Sequence, residues 1–254
     1  MKHKLLLIIV SLFFFSLLSA TQTNIQLLNQ ATEAYKSNDF DKALSIYSEL
    51  EKKIQKNPDI YYNIGNCYFK LNRIGLAILY YKKALVLDSS HALAKKNLNF
   101  ALKFTLDKQD FENQNFISSF FSRSFFSLSL NALAWVCLIL FIALIAIIHV
   151  FLRQSESYTH TKKMFLISLV VLNIIFVGWS ASRFYIYKNN KEAVISSPKV
   201  DAYSGPGESF TKLFTVHEGL ILKVIKVDNA WTQISLFNGF TGWIRTSTYK
   251  AVAI

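Results

Sequence analysis

Three uncharged apolar stretches divide a chain whose remaining segments alternate apolar and polar positions. The first, Leu5 to Leu18, comes after Met1, Lys2, His3 and Lys4 and ends in Leu18-Ser19-Ala20. A basic start, a short apolar run and a small residue at its exit are the parts of a secretory leader. As a helix this run would span about 20 Å, against roughly 30 Å for a bilayer core. Residues 1–20 are thus expected to be a signal peptide, with an uncleaved anchor as the alternative. Either would export the segment behind it. The second and third stretches predict transmembrane helices at 129–152 and 164–184, joined by a polar loop at 153–163 that carries Arg153, Lys162 and Lys163 against Glu156. An exported start with two spans after it leaves the loop cytoplasmic, as its cations favour. Arg183, Lys188 and Lys191 on the other flank weaken that charge argument. Trp135 and Trp179 are expected at the outer interface, and Asn173, deeper, is expected to bond to the neighbouring helix.

Between the leader and the first span the apolar period is helical, and it recurs. Asp39-Phe40-Asp41-Lys42-Ala43-Leu44-Ser45-Ile46-Tyr47 returns as Arg73-Ile74-Gly75-Leu76-Ala77-Ile78-Leu79-Tyr80-Tyr81, with Ala77 standing where Ala43 stood. A unit of that length is one helix-turn-helix repeat that must stack on a neighbour to bury its apolar face. In the second copy Tyr61, Ile64, Gly65 and Tyr68 precede Ala77, Tyr81, Ala84 and Leu85. Gly65, Ala77 and Ala84 let two helices approach closely. These residues resemble the tetratricopeptide repeat, which implies an all-α solenoid over residues 21–108. The first copy is degenerate: Ala31 stands where the second has Gly65, and its second helix is expected to extend to Asn57-Pro58. A third helix is expected from His91 to about Leu106. By the family's pattern Tyr35, Lys36, Tyr62, Asn66, Phe69 and Lys70 would line a concave groove able to take a peptide or partner helix. They could equally just cover the stack. Asn66 and Lys70 would suit an acidic peptide, although Tyr62 replaces one basic clamp residue of carboxylate-binding members.

Residues 109–128 crowd six Phe into a segment with little charge. That composition predicts a linker lying in the membrane interface, or alternatively a lid under the repeats. From about residue 192 to 254 the period changes to two. Leu220 to Val227 predicts a strand, and Trp231–Phe237, Asn238-Gly239 and Phe240–Arg245 predict a hairpin with a two-residue turn. Val200-Asp201-Ala202-Tyr203-Ser204-Gly205-Pro206-Gly207, Val216-His217-Glu218-Gly219, Trp231 and Thr241-Gly242-Trp243-Ile244 resemble the bacterial SH3-like domain. The resemblance implies a small closed all-β barrel, with Trp231 and Trp243 in its core and a candidate surface around Tyr203 and Phe210. Such modules bind peptides or cell-wall fragments, or serve structure alone.

The order of leader, repeats, two spans and SH3-like module resembles the E-type member of the Bat aerotolerance family. That resemblance implies an inner-membrane scaffold, both soluble modules periplasmic, with other membrane or periplasmic proteins and Bat-family neighbours as partners in an aerotolerance or envelope-stress complex. A cell-wall sensor, its barrel on peptidoglycan peptide, is the second reading. Composition narrows the rest. Net charge is +12, yet the cations are spread along the chain and form no block of the kind nucleic acid needs. Cys67 falls in a repeat helix and Cys137 in a span, so they cannot pair, and no CxxC is present. His91 is the only repeat-region base that could serve Cys67, and a packed thiol is favoured over a nucleophile. The remaining His positions show no metal-ligand spacing and no phosphate-cradling glycine loop occurs. No catalytic residue, metal or cofactor is expected; the partners are protein and the lipid bilayer.

Overall fold

A computed structural model describes residues 23–54, 56–109, 125–126, 128–153 and 160–253. The expected leader (1–20), most of the Phe-rich linker and residues 154–159 of the expected polar loop lie outside the described residues. The repeat region begins with α1 (residues 23–36), α2 (Phe40–Lys53), α3 (Pro58–Lys70) and α4 (Ile74–Leu87). It ends with α5 (Ala92–Ala101) and one 3₁₀ turn, Leu102–Phe104.

The two repeats turn by the same device. Asn38 and Asn72, equivalent positions in the two copies, both sit at positive φ, 63° and 58°. In each case the next N–H reaches back to the preceding helix, Asp39 to the Ala34 carbonyl and Arg73 to that of Tyr68, both at 2.9 Å. This left-handed cap satisfies carbonyls that the helix end leaves open. The degenerate first copy is therefore a full structural repeat. Close approach follows the small residues: a Cβ on Gly65 would lie 2.7 Å from the Tyr81 ring. Ala31, Ala43, Tyr47, Leu50, Ile64 and Cys67 fill one core.

Helices α6 (Leu130–Arg153) and α7 (His160–Lys188) pack side by side and enclose Leu133. Their apolar windows, Leu130–Phe151 and Lys163–Lys188, have mean hydropathies of 2.9 and 2.2 and are long and apolar enough to cross a membrane. Only 6% and 0% of these windows is buried in protein, unlike a soluble core helix. Asn173 does not bond across to its neighbour; its side chain donates to the Leu169 carbonyl one turn back, at 3.0 Å. That local bond satisfies the amide within its own helix.

Seven strands complete the chain: β1 (Glu192–Ile195), β2 (Lys199–Tyr203), β3 (Lys212–His217), β4 (Ile221–Asp228), β5 (Trp231–Ser235), β6 (Thr241–Arg245) and β7 (Tyr249–Ala251). They pair antiparallel in the order β3-β2-β6-β5-β4-β1-β7. The sheet is open. A 3₁₀ turn at Thr246–Thr248 carries β7 onto β1, so β3 and β7 remain as unpaired edges and the expected closed barrel is not formed. The β5–β6 hairpin also differs from expectation. Gly239 (φ +88°) alone among its turn residues is left-handed, and its N–H donates to the Leu236 carbonyl at 3.0 Å. That is a three-residue loop with a glycine bulge rather than a two-residue turn.

Trp231 and Trp243 do not form the core. Thr232, Ile234, Gly242 and Ile244 are the buried positions of β5 and β6. Strand alternation places both indoles on the opposite face, half-buried. Ile195, Leu222, Ile234 and Ile244 already fill the interior with Val200 and Val216.

The repeat and β modules share a second core. Ile78, Leu98 and Ala101 from the helices cluster with Val194, Ile221 and Val252 from the sheet. Polar contacts ring it: Lys82–Glu192 at 2.7 Å, and the Asp107 carboxylate accepting from the His217 backbone N–H at 2.6 Å. Gly219 (φ +87°) lets the chain pass Thr105, whose methyl would lie 2.5 Å from an added Cβ.

Candidate functional site

Two surfaces could meet a partner. The first is the face of the repeats formed by α1, α3 and α5. Asn66 is committed internally: its Oδ1 accepts from the Tyr81 hydroxyl at 2.9 Å and from Asn97 Nδ2 at 2.8 Å. Asn97 also reaches the Tyr62 hydroxyl at 3.4 Å, and the Tyr62 ring lies 5.1 Å from that of His91. His91 caps α5 through Nδ1, which accepts from Ala94 N–H at 3.1 Å, while Nε2 meets Asp59 at 3.2 Å. Both its ring nitrogens are occupied. Burial raises the Tyr81 hydroxyl well above its ordinary range, so it stays a neutral donor into this network.

Lys36 pairs with Glu33 at 2.8 Å on the open surface. Tyr35 packs edge-on to Phe40 at 5.2 Å, and Lys70 sits 5.9 Å above the same ring. Phe69 joins Phe100 and Phe104, with ring centroids 5.1 to 5.6 Å apart. Phe100 and Phe104 remain 50% and 57% exposed. So the six expected residues divide among four separate sets of contacts, and Phe100 and Phe104, outside the expected set, add exposed apolar surface beside Phe69. The signal was in the period: Phe100 and Phe104 lie one full repeat beyond Asn66 and Lys70.

The second surface is the outer face of β2, β6 and β5. Tyr203 stands opposite Trp243 in the ladder and packs edge-on to Trp231 at 5.7 Å. Arg245 lies 5.3 Å over Trp231 and forms two bonds to Glu208, at 3.0 and 2.7 Å. Phe210 folds over Gly205, where a Cβ would come 2.5 Å from the ring. The two residues named for this module therefore part company. Tyr203 belongs to the aromatic face, and Phe210 closes the glycine loop.

Cys67 is fully buried, and burial pushes its thiol up to about 12, which leaves no thiolate at neutral pH. Among the described residues no group of three His, Cys, Asp or Glu side chains is placed to hold a metal ion.

The helix pair α3–α4, which ends at the Asp88 C-cap, is the part that compares with known proteins. Residues 58–91 match the tetratricopeptide repeat family. No curated protein matches the chain. The matched repeat is the copy with Gly65 against Tyr81, and it is a protein-interaction unit, which makes protein binding the role this region supports.

Proposed function

We propose that the chain is a membrane-anchored, non-catalytic adaptor whose repeat and β modules act as a single body on one side of the bilayer and recruit a protein partner. The shared core of Ile78, Leu98 and Ala101 with Val194, Ile221 and Val252 carries this reading. One module precedes the two apolar helices and the other comes after them. Two crossings return a chain to the side it left, which is what such a contact requires. We assign that side to the outside of a cytoplasmic membrane, on the strength of the leader-like residues 1–20. Strand content, the Gly205–Gly207 loop and the β5–β6 hairpin favour an open relative of the bacterial SH3-like domain. The Bat-type scaffold role in envelope stress rests on the order of the parts.

The partner surface is the Phe69, Phe100 and Phe104 cluster. Aromatic side chains left open beside a basic residue, here Lys103, suit an apolar segment with acidic flanks. Cross-linked capture from native membranes tests it. Phe100→Ser with Phe104→Ser should lose the partner while membrane level is kept, and unchanged recovery would refute the assignment. Asn66→Ala is a poor probe, because it strands the Tyr81 hydroxyl. Reporter fusions at Gln109 and after Ile254 should both read as exported and one at Ser157 as cytoplasmic. Opposite signals from the two outer sites would overturn the shared side.

The outer aromatic face of Tyr203, Trp231 and Trp243 supports a second reading, a sensor of cell-wall peptide. Sacculus binding lost on Trp243→Ala, with the repeats intact, would favour it.

A further inference from the structure

A cavity of about 780 Å³ lies where α4, α7, β1 and β4 meet. Its charge is one-sided. Lys82, Arg183, Lys191 and Lys223 line it against Glu192, which Lys82 already pairs at 2.7 Å. Arg183 is only 5% exposed, yet its guanidinium meets no negative charge among the described residues: it lies 4.6 Å over the Phe126 ring and 5.6 Å over that of Phe125, and its hydrogen bonds go to neutral acceptors. Nη1 donates to the carbonyls of Phe125 and Leu128 at 2.7 and 3.0 Å, and Nη2 donates to Ser89 Oγ at 3.0 Å. Among the described residues no carboxylate pairs with Arg183, Lys191 or Lys223. A buried cation without a counter-charge is costly, so the site calls for an anion.

Its position says which anion. Leu130 opens the first apolar window and Arg183 lies near the end of the second, so one rim of the cavity stands at the boundary of both. Arg183 holds the carbonyls just before α6, which fixes these two helix ends together. Ile186, 46% exposed, continues the wall along α7. We infer that this cavity binds the phosphate headgroup of an anionic glycerophospholipid, its acyl chains running down the exposed faces of α6 and α7. The same assignment gives the basic flank of the second span a purpose that orientation alone does not. It rests on the membrane-anchored reading.

The test is native mass spectrometry of the full chain in mild detergent, with equimolar phosphatidylglycerol and phosphatidylcholine of the same acyl length. Phosphatidylglycerol should be retained about ten-fold better, because clustered basic residues at a bilayer surface each add to anionic-lipid affinity. Lys191→Gln with Lys223→Gln, both exposed, should remove most of that preference and leave circular dichroism unchanged. Millimolar inorganic phosphate should not displace the lipid. Equal retention of the two lipids, or a preference untouched in the double variant, overturns the proposal; so does displacement by phosphate, which would mark a free-anion site. Should the double variant misfold, the two-lipid comparison on the parent chain still decides. A chain that stays monodisperse without detergent would instead sink the membrane reading itself.

Discussion

Helices α2 and α4 hold equivalent places in successive repeats, but they begin differently. Asp39 caps α2 from its own side chain, accepting from Lys42 N–H at 3.2 Å. At the matching position of the next repeat stands Arg73, which makes no side-chain cap. The missing acceptor comes from the β module: Glu218 accepts from Gly75 N–H at 2.8 Å, 143 residues along the chain. A carboxylate there also meets the positive end of the helix dipole. Thus the first repeat is self-sufficient at its turn, while the second depends on a module that lies beyond both apolar helices. The difference shows where a repeat has become part of a larger body.

The strongest way to break this comparison is through the shared core. Ile78→Ala, fully buried among residues of both modules, should cost about 2–5 kcal/mol. Helix and strand signals should melt earlier together in the full chain; a shift in the helix signal alone would deny the coupling. Gly75→Ala comes next. The new Cβ would lie 2.5 Å from Glu218 Cγ and 2.8 Å from the Ile195 carbonyl, an overpacking of about 1–3 kcal/mol. Gly178→Ala, with nothing within 4 Å, is the neutral control. Glu218→Ala should cost about 1 kcal/mol, the value of a lost cap. Hydrogen exchange should then quicken at the Gly75 amide, whereas Asp39→Ala should quicken Lys42 and leave Gly75 protected. If both variants act alike on α4, the cap is not supplied across modules. The smallest effect belongs to Trp243→Ala, at roughly 1 kcal/mol or less, since the ring is half-buried on the outer face. A melting loss as large as that of Ile78→Ala would return Trp243 to the core.

The repeat was legible because its signal is periodic and local. Gly65 against Tyr81 and the turns recurring once per repeat both arise from neighbours in sequence. The start of α3 was misplaced: the helix before it was expected to run on to Asn57-Pro58, yet it ends at Lys53 and these two residues open the next helix. Asn57 accepts from Asp59 and Ile60 N–H, and Pro58 fills a position that needs no donor. The inside of the sheet was not legible in the same way. Alternation along Trp231-Thr232-Gln233-Ile234 separates two faces but does not say which is inner, and the size of the indoles pointed to the wrong one. Aliphatic side chains from β1, β4, β5 and β6 had already taken that space. Sheet closure was likewise decided by β7 pairing with β1, a long-range choice without a local mark. Nor could spacing reveal the groove clusters. Asn66 looked available as a ligand-facing amide until Tyr81 and Asn97, each on another helix, used it up.

Val252, made after both long helices, helps seal an apolar patch on helices made before them. Until the C-terminal strands are made, Ile78 and Leu98 lack the cover that the sheet gives them. On the proposed two-crossing reading, insertion and folding are interlocked: a polypeptide stalled at the first crossing, or inverted at the second, would leave that apolar patch open to water.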